Sequence, residues 1–124
     1  HTISHRILTG LRNEEIIREI RDSKDILESQ LGQKINSFAY PVGTRADFDD
    51  AIVEIVKAHN YTCACSNVYG MNDENSDTFA LKRIGIETTD CFFLFKQKLD
   101  GTLNIMSFKD TKFFQQLKRI FFKL

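Results

Sequence analysis

The sequence has 124 residues, of which 42% are hydrophobic and one is proline, enough for one compact domain or a substantial part of a larger one. Its seventeen basic and seventeen acidic residues cancel, so charge gives no support to nucleic-acid binding and favours a neutral or uncharged ligand. No signal peptide or long apolar run is visible, and because the chain does not begin with Met we expect a processed product or a fragment.

The chain begins with two histidines four residues apart, His1 and His5, separated by Thr-Ile-Ser. If this segment formed a helical turn, the two imidazoles would share a face and both could face one metal ion. Histidine is a common zinc ligand, so the pair is a candidate for half of a metal site. The alternative is two exposed histidines at a frayed terminus.

The apolar spacing that follows predicts a helix over residues 13–31, with Asn13 as its N-cap, Glu14 and Glu15 complementing the helix dipole, and Gly32 as its stop. The inward face is predicted to hold Ile16, Ile20, Ser23, Leu27 and Leu31. The solvent face is predicted to hold Arg18, Arg21, Lys24 and Glu28.

A short strand is predicted over residues 35–40, which are rich in β-branched and aromatic types. Pro41 cannot donate to a strand ladder and should end it, and Gly43 permits a turn. Asp47 is predicted to cap a second helix that ends near Asn60. The inward residues of this helix are predicted to be Phe48, Ile52, Ile55 and Val56.

Residues 62–66 are small and apolar, as in a buried parallel strand, and the order strand, helix, strand predicts a parallel sheet. Residues 67–78 are polar and predict a surface loop, because their acidic spacing lacks the EF-hand pattern of a calcium site. A further strand over 79–86 and a short helix over 89–99 follow. The helix is predicted to bury Phe92, Phe95 and Leu99.

The last segment, 111–124, has a basic amphipathic pattern. Such a helix can lie on an anionic membrane surface as a peripheral contact, bind a partner or pack on its own domain, and we take packing as the default. The cysteines are Cys63, Cys65 and Cys91; their odd number and the two-residue spacing predict free thiols. We interpret Cys63 and Cys65 as small core residues and not as a Cys-x-Cys metal site. Free thiols favour a cytoplasmic location over an envelope-associated one.

The H-T-I-S-H motif, one helix, and then Phe-Ala-Tyr-Pro-Val-Gly over 38–43 at a strand end resemble the polysaccharide deacetylases, the NodB-homology domains of carbohydrate esterase family 4. The resemblance covers roughly residues 1–100 and favours a bacterial source. It implies an α/β fold, part of a distorted (β/α) barrel in which parallel strands alternate with helices. Residues 1–108 would be the C-terminal part of such a domain, lacking its N-terminal part, and 109–124 an added helix.

The resemblance also implies an activity, the metal-dependent removal of N- or O-acetyl groups from a polysaccharide or glycan. His1 and His5 would bind zinc or another divalent metal together with an aspartate. The backbone N–H of Val42 would help form the oxyanion hole, and Tyr40 and Pro41 would line the substrate groove.

The sequence departs from the family pattern at several positions. The family's paired aspartates precede the histidines; here Asp49-Asp50 is the only adjacent pair, it reads as a first helical turn, and no role is transferred to it. Ala39 stands where the family commonly has arginine. No L-x-H motif is found, and the remaining histidine, His59, is predicted to have a surface role. We therefore expect the chain alone to be inactive.

The sequence is also compatible with two other functions. A degenerate domain could bind glycan or a protein partner without catalysis, which the missing arginine and acid histidine favour and the intact histidine pair opposes. The amino group and imidazole of His1 could also chelate copper, but that chemistry requires a β-sandwich, which the α/β pattern argues against. Arg83 is predicted either to contact a sugar or phosphate or to form a salt bridge.

Overall fold

In the computed structural model, which describes residues 1–102, helices alternate with parallel strands, so the predicted α/β class is confirmed. A 3₁₀ turn at Leu8–Gly10 precedes the regular elements, which are α1 (Asn13–Leu31), β1 (Ser37–Ala39), α2 (Asp50–Ala58), β2 (Cys63–Tyr69), β3 (Leu81–Arg83) and α3 (Phe92–Leu99). The three strands form one sheet in the order β1-β2-β3. The predicted helix 111–124 and the domain boundary at 108/109 lie outside the described residues.

Helix α1 matches the predicted span of residues 13–31, although its cap is Arg12 and not Asn13. The carboxylate of Glu15 accepts the backbone N–H of Arg12 at 3.2 Å, which satisfies one of the amides that a helix start leaves without an intrahelical partner. Gly32 ends the helix in the left-handed region at φ 65°, as its sequence position predicts.

The inward face of α1 changes character halfway along the helix. Ile16 and Ile20 are buried in the core, but Leu27 and Leu31, which we predicted to face inward, are 39% and 56% exposed. The core cluster to which the first half contributes is made of Leu8, Ile16, Ile20, Phe38, Tyr40, Ile52, Val53, Val56, Tyr61 and Ala64.

Lys24 and Glu28 occupy the contact side of the second half instead of the predicted solvent face. The ammonium of Lys24 donates to the carbonyls of Ile35 at 2.7 Å and Asn60 at 3.0 Å, and lies 4.3 Å from the ring centroid of Tyr61. The carboxylate of Glu28 accepts the N–H of Ile35 at 2.9 Å. Residues 16, 20, 24 and 28 are spaced by four and so share one stripe, which is apolar at first and charged later.

The strands differ from their predicted lengths. β2 continues past Ser66 to Tyr69, so the polar loop that we predicted from residue 67 begins only at Gly70. β3 covers only Leu81–Arg83 of the predicted 79–86. The side chain of Asn72 donates to the carbonyl of Lys82 and accepts its N–H, both at 2.9 Å, which fixes the loop against β3.

The second helix begins two residues later than predicted. Asp49 is its N-cap, and its carboxylate accepts the N–H of Ile52 at 2.9 Å. Asp47, the predicted cap, is buried and instead accepts the backbone N–H of Thr44 at 2.9 Å and its hydroxyl at 2.6 Å. The two aspartates therefore hold successive turns, and only the second opens α2.

The burial predicted for the last described helix is wrong at two positions. Phe92 is 81% exposed and Leu99 is 51% exposed, while Phe95 is partly buried. The N-cap is Cys91, and the carboxylate of Asp90 accepts a hydrogen bond from the ammonium of Lys98 at 2.5 Å.

All three cysteines are free thiols, as predicted; Cys63 and Cys65 are half-buried on β2, and Cys91 is exposed. The compartment that we inferred from them stays a prediction. Among residues 1–102, no helix has both the length and the apolar character required to cross a bilayer.

Candidate functional site

The first five residues form a bend and not the helical turn that would place residues i and i+4 on one face. Thr2 and His5 have positive φ angles of 50° and 58°, and the N–H of His5 donates to the hydroxyl oxygen of Thr2 at 3.1 Å. The bend nevertheless brings the two imidazoles together, with ring centroids of His1 and His5 4.7 Å apart and ring planes at 68°. The predicted pairing of the histidines is thus reached by a different backbone.

Glu19, in the middle of α1, accepts three hydrogen bonds from this bend. Its Oε2 accepts the backbone N–H groups of Ile3 at 2.8 Å and Ser4 at 2.9 Å, and its Oε1 accepts the hydroxyl of Ser4 at 2.5 Å. Burial acts to raise the pKa of this carboxyl, but the hydrogen bonds from Ser4 and Ile3 outweigh it and hold the pKa below its ordinary value.

The ring of His1 also joins the bend to the end of β1. Its Nδ1 lies 2.5 Å from the carbonyl oxygen of Ala39, and since a carbonyl only accepts, the Nδ1–H donates. In the neutral ring a proton on Nδ1 leaves Nε2 with the lone pair, which is the usual tautomer of a ligating histidine. The hydrogen bond therefore links the two sequence motifs through His1 and Ala39, which are 38 residues apart.

Immediately after β1 the chain makes a tight turn with Val42 at its centre. The N–H of Gly43 donates to the carbonyl of Pro41 at 2.6 Å, which is the hydrogen-bond pattern of a γ-turn. Val42 has φ 58°, an outlier for a β-branched residue, and its side chain is 45% exposed. Gly43 is also left-handed at φ 71°, and its carbonyl accepts the N–H of Asn67 at 2.7 Å.

Tyr40 and Pro41, which we predicted to line a substrate groove, are both buried. The hydroxyl of Tyr40 donates to the carbonyl of Phe79 at 2.9 Å, and its ring stacks on Phe48 with centroids 4.2 Å apart and planes at 7°. Burial, with a smaller contribution from the charge of Asp77, raises the pKa of this hydroxyl well above its ordinary range. The two side chains support the turn from below, and their contact with substrate stays a prediction.

The other candidate residues lie in structural roles. Nδ1 of His59 lies 2.7 Å from the carbonyl of Ile55 at the end of α2. Nε of Arg83 donates to the carbonyl of Ser66 at 2.8 Å, and within residues 1–102 no ion pair involves Arg83. Asp50 lies in the first turn of α2, as the sequence predicts, whereas Asp49 is its N-cap.

A pocket of about 270 Å³ lies at the start of α2, and neither histidine nor Val42 lines it. Its lining residues are Arg45, Phe48, Asp49, Asp50, Val53, Val68, Asp77, Ala80 and Lys82. Because neither histidine nor Val42 lines this mixed-charge pocket, we place the candidate site at the histidines and the Val42 turn.

Two imidazole nitrogens fit the preference of zinc for nitrogen ligands, although a tetrahedral protein site uses three or four ligands. In the described part of the chain, no group of three or more His, Cys, Asp or Glu side chains is placed to hold a metal ion. His1 and His5 therefore fit as two ligands of such a site. Sequence reasoning missed Glu19, because it looks like any other glutamate of an amphipathic helix.

The family model described as polysaccharide deacetylase matches residues 1–64, more than half of the chain. A search among curated proteins finds no significant match.

The solved structures that resemble the chain include two deacetylases. The deacetylase PplD of Streptococcus pyogenes, in complex with acetate, is 28% identical, with 79% of this chain and 42% of that chain covered and a TM-score of 0.72. The de-N-acetylase of Aggregatibacter actinomycetemcomitans is 19% identical, with 68% and 31% covered and a TM-score of 0.57, a likeness that shows the fold alone. The chain thus spans less than half the length of either solved protein.

Proposed function

Because the chain belongs to the polysaccharide deacetylase family, we propose that it forms part of a metal-dependent site that removes N- or O-acetyl groups from a polysaccharide or another glycan. The observation that carries the proposal is the position of the His1 ring, which lies beside His5 and donates to the carbonyl of Ala39. This one side chain brings the histidine bend and the end of β1 to the same place.

In this proposal His1 and His5 hold zinc or another divalent metal. When bound, such an ion polarises the acetyl carbonyl and lowers the pKa of a bound water toward ~7. The bond from Nδ1 of His1 to Ala39 selects the tautomer whose Nε2 is an acceptor. Both imidazoles belong to exposed residues, so neither requires rearrangement of the core to meet a ligand.

The backbone N–H of Val42 is the proposed oxyanion donor. The bond between Gly43 and Pro41 and the bond between Asn67 and Gly43 fix the peptide planes of the turn. A donor fixed before the reaction stabilises developing negative charge without reorganisation. Tyr40 and Pro41 are proposed to define the groove beneath this donor, and their burial means that they act by holding the backbone in position.

The proposal leaves two chemical roles unassigned. Deacetylation also requires a general base for the attacking water and an acid for the leaving group. Asp49 and Asp50 cap α2, and His59 lies at the other end of that helix, so none of these residues receives either role.

Zinc binding tests the metal part of the proposal. We would measure zinc affinity of the 124-residue chain by competition with a chromophoric chelator, with His5→Ala as the variant and His59→Ala as the matched control. Loss of an outer-shell partner already costs about 10–100-fold in metal affinity, so His5→Ala should cost at least about tenfold. Equal affinities for the wild type and His5→Ala would overturn the assignment.

Acetate release separates the catalytic reading from a binding module. With N-acetylglucosamine oligomers and added zinc, we expect no acetate release from this chain alone. The role of the base is unassigned, and among residues 1–102 no third side chain joins the histidines in a group that could hold a metal ion. Release that disappears in His5→Ala would show that the site is complete. Glycan binding by a chain that has no zinc affinity would favour the non-catalytic alternative.

A further inference from the structure

We propose that Glu19 is the positioning residue for the metal-binding histidines: it holds Ile3 and Ser4 so that His1 and His5 present their imidazoles to one divalent ion. This inference rests on the proposed function, since it assumes that the histidines bind the metal. It assigns a role to a helix residue that lies outside both sequence motifs.

The contacts of Glu19 use both carboxylate oxygens. Oε2 accepts two successive backbone N–H groups, those of Ile3 and Ser4, at 2.8 and 2.9 Å, and Oε1 accepts the Ser4 hydroxyl at 2.5 Å. Hydrogen bonds to an ionised acceptor are shorter and stronger than neutral ones. Three of them on two adjacent residues fix both the position and the direction of the peptide between the histidines.

The backbone of the bend requires such a fixed point. Thr2 and His5, on either side of the anchored residues, have φ angles of 50° and 58°, a region that non-glycine residues rarely occupy. Conformations of this kind persist only where surrounding contacts determine them. With Ile3 and Ser4 released, both flanking residues could relax to ordinary angles, and the His5 ring would turn away from His1.

The helix supplies the rigidity that the bend lacks. Glu19 is adjacent to Ile20, which is fully buried, and three residues from Ile16, which is 4% exposed. The packing of Ile16 and Ile20 in the core thus fixes the position of the helix. Because Glu19 belongs to this helix, its carboxylate gives the exposed bend a fixed point of attachment. Glu15, the next glutamate toward the start of α1, binds Arg6 and Arg12 instead.

The test is zinc affinity of the 124-residue chain with an acetylated N-terminus, so that the α-amino group cannot act as a ligand. Glu19→Gln keeps the shape but removes the charge and one acceptor oxygen, and should weaken zinc binding by about tenfold or more, as for other outer-shell partners. Glu14→Gln, on the exposed side of the same helix, is the matched control and should leave affinity unchanged. Ser4→Ala removes one of the three bonds and should weaken binding less.

A double-mutant cycle distinguishes positioning from a general loss of structure. In a His5→Ala background the pair no longer exists, so Glu19→Gln should have no further effect on zinc affinity. A general effect on folding would weaken binding in both backgrounds. In the metal-free protein, nuclear Overhauser contacts between the His1 and His5 rings should be present in the wild type and Glu14→Gln and absent in Glu19→Gln.

The outcomes separate this inference from the proposed function. If His5→Ala weakens zinc binding and Glu19→Gln does not, Glu19 has no positioning role while the metal site stands. If the wild type binds no zinc, the metal site itself is wrong and the role of Glu19 falls with it. Ring contacts that survive in Glu19→Gln would also contradict the inference.

Discussion

Ile20 in α1 and Val42 after β1 belong to the same small α/β unit, but different forces hold them in place. Ile20 is fully buried in a regular helix, and its neighbours in the core are apolar side chains. Val42 is 45% exposed, lies at a positive φ angle, and is fixed by backbone hydrogen bonds of its neighbours Pro41 and Gly43. We call these two regions the core, meaning the cluster around Ile20, and the rim, meaning residues 1–5 and 41–43.

The difference teaches where each region is vulnerable. In the core, stability comes from apolar area removed from water, so truncating a side chain is costly and the backbone conformation is ordinary. On the rim, strained φ angles are held by a few polar bonds, so changes that affect the backbone matter more than side-chain size. Substitutions matched in chemistry but placed in the two regions should therefore behave differently.

The largest effect is expected from Ile20→Ala. Replacing the buried isoleucine by alanine leaves a cavity in the core, and such changes cost about 2–5 kcal/mol of unfolding free energy. Ile26→Ala is the matched control, because Ile26 lies on the same helix but is 48% exposed. Urea unfolding followed by circular dichroism measures both, and equal losses in the two variants would show that the interior is not organised around Ile20.

Gly43→Ala should have the next largest effect. A Cβ at this position would lie 3.0 Å from both the Asn67 nitrogen and the Tyr40 oxygen, and φ is 71°, so strain and close contact act together. We expect a loss of about 1–3 kcal/mol.

Gly10→Ala is the control for Gly43→Ala, since a Cβ there meets nothing within 4 Å. The same urea unfolding measurement applies to both glycine variants. If Gly43→Ala and Gly10→Ala lose equally little unfolding free energy, the backbone of the Pro41–Gly43 turn is not rigid.

The sequence predicts the core better than it predicts the rim. The spacing of Ile16 and Ile20 identifies the buried face of α1 because burial follows helical periodicity. The same periodicity gives a wrong prediction at Leu27, which is exposed. Here Lys24 and Glu28 contact the backbone of Ile35 through hydrogen bonds, which an apolar pattern does not encode.

On the rim, resemblance identifies the histidines and the Pro41–Gly43 turn, but not the geometry that joins them. The bond between His1 and Ala39 and the three bonds of Glu19 connect residues far apart in sequence. Such contacts depend on how α1 packs on the sheet, which local propensity does not determine. The positive φ angles of Thr2, His5 and Val42 could not be predicted either, because none of these residues is a glycine.

Alkaline pH should weaken the core through Tyr40. Burial, helped by the charge of Asp77, raises the pKa of its hydroxyl above the ordinary value of 10.0, so the folded protein keeps the proton when the unfolded chain has lost it. The unfolded state then binds fewer protons, and stability falls as pH rises above about 10. We expect about 1 kcal/mol less stability at about pH 11 than at about pH 9 from this group.

The Tyr40→Phe variant checks this pH effect. It should lose about 1 kcal/mol at neutral pH, because the bond to Phe79 is gone, but its stability should decline less steeply with pH. Urea midpoints at both pH values measure the slope. Parallel declines in the two proteins would assign the alkaline sensitivity to other groups, among them Tyr61, whose pKa burial also raises.

The smallest effect, and the one of opposite sign, is expected at Val42. A non-glycine residue in the left-handed region costs about 1–2 kcal/mol, and glycine removes that cost while adding about 0.5–1 kcal/mol of unfolded-state entropy. Val42→Gly should therefore stabilise the fold by about 0.5 kcal/mol, whereas Val42→Ala, which keeps a Cβ, should change it less. If side-chain packing held the turn, truncating Val42 would lower the free energy of unfolding. An increase in Val42→Gly would therefore distinguish the rim from the core most clearly. If Val42→Gly instead loses stability as a core truncation does, the exposed valine side chain is a packing residue and the turn is held by it, not by the bonds of Pro41 and Gly43.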